Sequence, residues 1–298
     1  MCGIVGLFLK TPELRPKLGA LTGQMLTVMN ERGPDSAGFA VYGIEAPGYV
    51  KITVRLIGAT ADGALPEQLR RIGIKVGTAI RHDSHVVLEI ATGQVSEARE
   101  WLRGKSAELQ IVGLGHRMEI YKEVGLPERV AAQFGLGSMH GTHAIGHTRM
   151  ATESSVTTAG AHPFSTGMDQ CLVHNGSLSN HNAVRRILQH EGLSFETDND
   201  SEVAAGYLSW RMREGDTLKE ALTQSLDTLD GFYTFVVGTE RGFAVLRDPI
   251  CCKPAVMAET DSYVAFGSEY RALAVLPRIE EARVFEPEPA TVYVWEHA

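Results

Sequence analysis

Cys2-Gly3-Ile4-Val5-Gly6-Leu7-Phe8-Leu9 follows the initiator Met1 and sets the terms on which the rest of the chain is read. Ile4 to Leu9 has the branched and aromatic content of a strand. Removal of Met1 would leave a thiol and a free α-amine on one residue. A thiol titrates at about 8.5 and an α-amine at about 8, so the amine can hold or relay the thiol's proton at neutral pH. Taken alone, the stretch equally suits a small buried residue opening a core strand, because free cysteine is among the most buried residue types.

Outward from this strand, Leu18 to Glu31 shows apolar residues at helical spacing, and Ala37 to Gly43 and Tyr49 to Leu56 read as further strands. Residues 143–149 and 170–174 predict two more strands, each ending in a polar tip: His147-Thr148-Arg149 and His174-Asn175-Gly176. Helices are expected at 179–192, 201–213 and 217–229, the last opened by a Thr217 to Glu220 capping box. Short strands then follow at Phe232 to Gly238, Gly242 to Arg247, Ala255 to Ala258, Tyr263 to Gly267 and Thr291 to Trp295. Strands at both ends with helices between them predict stacked layers. Residues 60–127 hold a second, smaller pattern, with strand His85 to Ala91, helix Ser96 to Arg103 and strand Leu109 to Gly113, read as an α/β insertion in a single domain spanning 1–298.

Composition narrows the function class. A chain of 298 residues, 44% hydrophobic and 21% charged, can bury a sizeable core. A net charge of −8 without a basic cluster argues against nucleic acid and anionic membrane as partners. Cys2, Cys171, Cys251 and Cys252 have no CxxC spacing, which suits neither a zinc cage nor a disulfide framework. No run of about 18 apolar residues and no secretory leader is evident. The expectation is a cytoplasmic protein, and the sequons at Asn175 and Asn199, which need secretion, are set aside.

Five polar clusters carry the candidate chemistry: Cys2-Gly3-Ile4, Arg32-Gly33-Pro34-Asp35-Ser36-Ala37-Gly38, Gly146-His147-Thr148-Arg149-Met150-Ala151-Thr152, His174-Asn175-Gly176 and Asp198-Asn199-Asp200-Ser201-Glu202. Each has a bland explanation by itself. Gly33-Pro34 can stop a helix, Arg149 can serve a structural ion pair, Asn175-Gly176 can be a turn, and Asp200 can cap a helix.

In this order and wording the five together resemble the class II glutamine amidotransferases, which are N-terminal-nucleophile (Ntn) hydrolases. The resemblance runs from Cys2 to about Leu273, where Phe266-Gly267-Ser268-Glu269 and Ala272-Leu273 look like the family's late strand and helix. It implies an α+β fold, a four-layer αββα sandwich of two mainly antiparallel sheets. It also implies that Cys2 attacks the side-chain amide of glutamine, giving a γ-glutamyl thioester and ammonia. The side-chain amide of Asn175 and the backbone N–H of Gly176 would then stabilise the oxyanion. Arg149 would pair with the substrate α-carboxylate, Asp200 would accept from its α-ammonium, and Thr152 would add a substrate contact. Arg32 and Asp35 would brace the site. Two departures stand out: Met150, where many relatives carry Trp or Tyr, and Glu153, where some carry His.

Metal-based readings are weaker. His140, His143 and His147 would share a face on a helix, yet Gly141 and Gly146 break helical logic and there is no HExxH. Asp198, Asp200 and Glu202 mimic an acidic calcium loop, but Val203 occupies its glycine position. No metal and no cofactor is expected in this chain. The length leaves no room for a synthase domain after the glutaminase-like region, so the ammonia acceptor is expected on another chain. The wording Arg247-Asp248-Pro249 and Gly267-Ser268-Glu269 most resembles stand-alone subunits related to glutamate synthase, such as that of N-methylglutamate synthase. That resemblance implies synthase subunits in a hetero-oligomer, with any flavin or iron-sulfur cluster on them. The alternative is a catalytically silent subunit that keeps the fold to organise such a complex.

Overall fold

The computed structural model describes residues 2–58, 64–151 and 155–297. Its first eight strands are β1 (Gly3–Leu9), β2 (Ser36–Tyr42), β3 (Tyr49–Leu56), β4 (Val76–His82), β5 (His85–Ala91), β6 (Leu109–Gly115), β7 (Met118–Val124) and β8 (His143–Arg149). The others are β9 (Phe164–Gly167), β10 (Gln170–Leu178), β11 (Gly231–Gly238), β12 (Gly242–Arg247), β13 (Val256–Glu259), β14 (Tyr263–Gly267), β15 (Arg283–Phe285) and β16 (Val292–Glu296). The helices are α1 (Leu18–Val28), α2 (Leu65–Arg71), α3 (Val95–Arg103), α4 (Pro127–Gln133), α5 (His181–His190), α6 (Asp200–Arg213), α7 (Leu218–Thr228) and α8 (Tyr270–Leu273).

Among the described residues the strands form three antiparallel sheets, ordered β15-β13-β14-β1-β8-β2-β7, β16-β12-β11-β10-β9 and β4-β5-β3-β6. The first two make the sandwich, and side-chain alternation explains why. On β1, Ile4 and Phe8 point into the space between the sheets with Val236 and Phe243, while Val5, Leu7 and Leu9 point outward onto α1, α4 and α8. On β11, Val236 faces inward, whereas Tyr233, Phe235 and Val237 pack on Leu188, Val203 and Leu222 of α5, α6 and α7. The result is the expected αββα order. Phe235 is fully buried, and truncating it to alanine would cost roughly 3–5 kcal/mol. The capping box forms as read: Thr217 Oγ1 accepts from the Glu220 N–H, and the Glu220 carboxylate accepts from the Thr217 N–H. No described helix is long and apolar enough to cross a membrane.

The third sheet shifts the expected boundaries of 60–127. It begins with β3, because β3 pairs with β5 and β6, whereas β2 pairs with β7 and β8. It ends at Gly115, since β7 returns to the edge of the seven-stranded sheet. One face of this sheet closes on α2 and α3 around Ile52, Val54, Leu88, Ile90, Leu69 and Leu102. At its exit, the buried Asp169 carboxylate accepts from the N–H groups of His116, Arg117 and Met118 at 2.7, 2.9 and 3.0 Å, tying the β6–β7 return to the β9–β10 turn.

Candidate active site

A cavity of about 560 Å3 gathers residues from all parts of the sandwich: Cys2 from the start of the chain, Arg149 and Met150 from the end of β8, Gly176 and Ser177 from β10, and Asp198 to Ser201 from the entry to α6. β1 and β8 are paired, with Gly3 opposite Thr148, which brings Cys2 beside Arg149 although 147 positions separate them.

Cys2 is half-buried, with Sγ 3.8 Å from the Met150 carbonyl oxygen. Its own carbonyl accepts from Arg32 Nε at 3.1 Å and from Asn175 Nδ2 at 3.3 Å. Arg32 is buried and ion-paired to Glu269, which also pairs with Arg271 at 2.5 Å. Paired in this way, Glu269 keeps its carboxyl below the usual range despite the opposing effect of burial. Asp35 accepts from the Ala151 N–H at 2.8 Å, and its own N–H donates to the Arg149 carbonyl at 3.1 Å. Neither Arg32 nor Asp35 is among the residues lining the cavity. Gly33 is required here, because a Cβ would lie 2.4 Å from the Thr148 carbonyl carbon.

Asn175 and Gly176 do not sit at a strand tip, as expected, but inside β10, opposite Thr234 and Tyr233 of β11. The ladder continues to Leu178 because β11 supplies a full-length partner, which is a tertiary effect invisible in the local pattern. Gly176 has φ +154, and a Cβ there would fall 2.0 Å from the Phe232 carbonyl oxygen. Arg149 is buried, and its Nη1 donates to the Ser155 carbonyl at 3.3 Å. Asp200 opens α6, where Asn199 caps the helix by accepting from the Ser201 N–H. One Asp200 oxygen accepts from the Leu178 N–H at 2.9 Å, and the other lies 3.8 Å from His174 Nδ1. Thr152, and with it Glu153, lies outside the described residues.

The structure adds imidazoles that sequence reading did not assign. His162 lines the cavity, is 5% exposed, packs against His147 in a tilted pair with ring centroids 4.0 Å apart, and has no hydrogen-bond partner on either ring nitrogen among the described residues. His174 also lines it, bonded through Nδ1 to Ser201 Oγ at 2.9 Å, with no partner for Nε2 among the described residues. Burial pushes both pKa values down, for His162 with added repulsion from His147 and His174, so both rings are neutral at pH 7. Ala161-His162-Pro163 carries no local signal of this role, since the packing of β8 and β10 creates it.

The rival metal clusters dissolve. His143 and His147 lie on a strand, where His143 stacks on Tyr42 and donates to or accepts from Thr142, and His147 Nε2 contacts the His174 carbonyl. The Glu202 carboxylate accepts from the Glu196 and Thr197 N–H groups. Among the described residues no group of three His, Cys, Asp or Glu side chains is placed to hold a metal.

Known proteins share sequence and fold with this chain. A family described as a glutamine amidotransferase domain matches residues 147–275. The glutamine amidotransferase-like protein GlxB of Rhizobium meliloti (strain 1021) is 59% identical over 298 residues, covering 100% of this chain and 99% of its own. The isomerizing glutamine–fructose-6-phosphate aminotransferase of Aliivibrio fischeri is 34% identical over 136 residues, 46% of this chain and 22% of its own. Among solved structures, the glutamine phosphoribosylpyrophosphate amidotransferase from B. subtilis, complexed with ADP and GMP, aligns with a TM-score of 0.63 at 21% identity. That alignment covers 99% of this chain and 47% of the solved one, a likeness of fold.

Proposed function

The chain belongs to the class II glutamine amidotransferase family, and on that premise we propose that it is a working glutaminase subunit whose nucleophile is Cys2. The observation that carries the reading is the charge pattern around the thiol. Arg149 is the one arginine or lysine among the described lining residues, and Asp198 and Asp200 are its acids. A free amino acid presents one carboxylate and one ammonium, so a single guanidinium and carboxylates lining one cavity suit it better than a peptide.

Once Met1 is removed, the Cys2 amine takes the thiol proton and the thiolate attacks the glutamine amide carbon. An amide nitrogen has two N–H donors. One of Asn175's holds the Cys2 carbonyl, which leaves the second, with the Gly176 N–H, for the oxyanion. Collapse of the tetrahedral intermediate transfers the amine's proton to the leaving group and releases ammonia. Water then attacks the thioester with the same amine as base, giving glutamate and regenerating the thiol. Arg149 orients the α-carboxylate, Asp200 the α-ammonium, and Thr152 is a further contact. Arg32 and Asp35 hold Cys2 and the loop after Arg149 in register. The neutral imidazoles of His162 and His174 have no proton to give to nascent ammonia at pH 7.

The ammonia goes to a synthase of glutamate-synthase-like type on a partner chain, the N-methylglutamate synthase kind being the nearest in wording, with flavin and iron-sulfur centres located there. Support comes from the wording Arg247-Asp248-Pro249 and Gly267-Ser268-Glu269, which resembles such subunits.

The test is intact-mass measurement followed by labelling with a glutamine-like diazo-ketone. Mature protein should lack Met1 and take up one label on Cys2, glutamine should protect it, and Cys2→Ala should lose label and at least ~10³-fold of glutaminase activity. Full activity with Met1 retained, or activity surviving in Cys2→Ala, would refute the mechanism. A protein that lacks Met1 yet is neither labelled nor active is the silent organising subunit instead.

A further inference from the structure

A second cleft, of about 410 Å3, opens where the β3–β6 sheet and its helices meet the sandwich. Two segments separate it from the cysteine cavity. Ala159, Phe164 and Glu202 face the cleft, Gly160, His162 and Ser201 face the cavity, and Thr197 borders both.

The cleft lining carries more positive than negative side chains, Arg99, Arg103, Lys122 and Arg213 against Glu196 and Glu202. Arg99 and Arg103 stand one turn apart on α3, where like charges at this spacing repel by roughly 0.2–0.5 kcal/mol. Neither has a hydrogen bond or ion pair among the described residues. Partial burial and the neighbouring Arg103 pull the Arg99 pKa down, the signature of a cation lacking its counter-charge. The other charged groups are engaged. Lys122 is buried and donates to the carbonyls of Ala159, Ala161 and Pro163 at 3.2, 2.8 and 3.4 Å, Arg213 donates to the Glu191 carbonyl at 3.0 Å and lies 3.5 Å from Glu214, Glu196 accepts from Gln110 at 2.7 Å, and Glu202 accepts from backbone N–H groups.

We propose that this cleft binds a small dianionic metabolite, a phosphate monoester or a dicarboxylate, between Arg99 and Arg103, and that its occupancy tunes glutamine binding. Guanidinium forks engage either oxyanion bidentately, and a second negative charge turns their mutual repulsion into shared attraction. The size is that of a metabolite site. The link to the cavity is the Glu202 carboxylate, which holds the Glu196 and Thr197 N–H groups at 2.8 Å and the Thr197 hydroxyl at 2.7 Å. Asp200 lies between these anchors in sequence, so a ligand that displaces 196–197 displaces Asp200. The tuning rests on the glutamine reading, whereas the anion binding does not.

Titration calorimetry of the full chain at low ionic strength, with inorganic phosphate and separately with succinate, tests the site, the two arms telling a phosphate ligand from a dicarboxylate. Saturable binding of at least one anion is expected, weakened at least about tenfold in Arg99→Ala and in Arg103→Ala, and unchanged in Arg70→Ala on the neighbouring α2. No saturable binding, or binding indifferent to both arginines, overturns the proposal. At saturating anion the glutamine KM should shift by roughly threefold or more with kcat little changed. An unmoved KM with binding intact overturns the tuning. Diazo-ketone labelling of Cys2, which does not need the cleft, reports separately on the glutamine reading.

Discussion

The sandwich and the β3–β6 sheet beside it are both antiparallel and both well packed, yet they handle polar groups in opposite ways. Between the two main sheets the core is mostly apolar, with Ile4, Phe8, Val173, Val236, Phe243 and Phe266 in one cluster, its buried Tyr42 hydroxyl paired with Cys171 and the Asp169 carbonyl, while the candidate chemistry gathers in the Cys2 cavity. The smaller sheet has its apolar core on the side of α2 and α3, while Lys51, Thr53 and His85 are buried on its other side, towards the sandwich. Lys51 pairs with Glu119 of β7 at 2.6 Å, and His85 meets the rings of Tyr121 and Phe134. A unit with its own apolar core, docked through a seam that adds these polar pairs to the apolar contacts of Val87 and Val112, can be altered on its far side without rebuilding the site next door.

Equivalent glycine substitutions on the two sides should separate most widely. In Gly176→Ala the new Cβ meets backbone, 2.0 Å from the Phe232 carbonyl oxygen and 2.7 Å from the Tyr233 Cα, so β10 must move off β11 and carry Asn175 with it. Glutaminase kcat should fall by ~10² or more, the scale of losing one oxyanion donor. Gly73→Ala, at φ +90 in the smaller unit with nothing within 4 Å, should cost only about 1–2 kcal/mol of stability and leave kcat unchanged. Steady-state kinetics with thermal midpoints check both. Comparable activity losses would make the two regions one functional body.

Acid should separate them next. Burial lowers His143 and His147 on β8, and His85 at the seam, from 6.5 to about 3. Between those values the unfolded chain binds protons that the folded chain does not, so their stability is fully present above about 6.5 and is lost as pH falls through the window. By pH 5 each imidazole removes about 2 kcal/mol. Two of the three are in the sandwich, so the sandwich should melt before the smaller unit as pH falls from 7 to 5. Trp101 on α3 reports one region, and Trp210 on α6 and Trp295 on β16 report the other. Fluorescence of single-tryptophan variants follows each, and a single coincident transition would show that the seam couples them tightly.

The same contrast explains what could be read from sequence. Stacked layers and the capping box were legible because alternation and caps are local, the αββα order followed only from the family resemblance, and Cys2, Arg149, Asn175 and Asp200 are motif positions that the fold brings close together. The boundaries of the smaller unit were not. β3 follows β2 closely and looks like its hairpin partner, but β2 is already paired on both edges by β7 and β8. β4 escaped notice because Thr78 to Arg81 are exposed and show no alternation, and β7 because its charged residues, Glu119, Lys122 and Glu123, find partners far along the chain in Lys51, the 159–163 carbonyls and Thr158. His162 fails for the same reason: nothing near Ala161-His162-Pro163 reports that the His147 ring will pack against it.

The smallest effect is the most direct measure of the seam. Lys51 Nζ lies 2.6 Å from Glu119 Oε1, with side chains 9% and 23% exposed, and Glu119 Oε2 accepts from Tyr121 Oη at 2.8 Å. Losing Lys51 leaves Glu119 with the tyrosine donor and some contact with water, so the penalty for an unpaired charge is blunted. A double-mutant cycle of Lys51→Met and Glu119→Gln, read by urea unfolding with Trp101 fluorescence, should give a coupling of about 1 kcal/mol that shrinks with added salt. The two single variants should keep glutaminase kcat, because neither residue lines the Cys2 cavity. A coupling above about 3 kcal/mol, insensitive to salt, would mean that the pair is buried as deeply as the core, and that the smaller sheet is a structural part of the sandwich rather than a unit docked beside it.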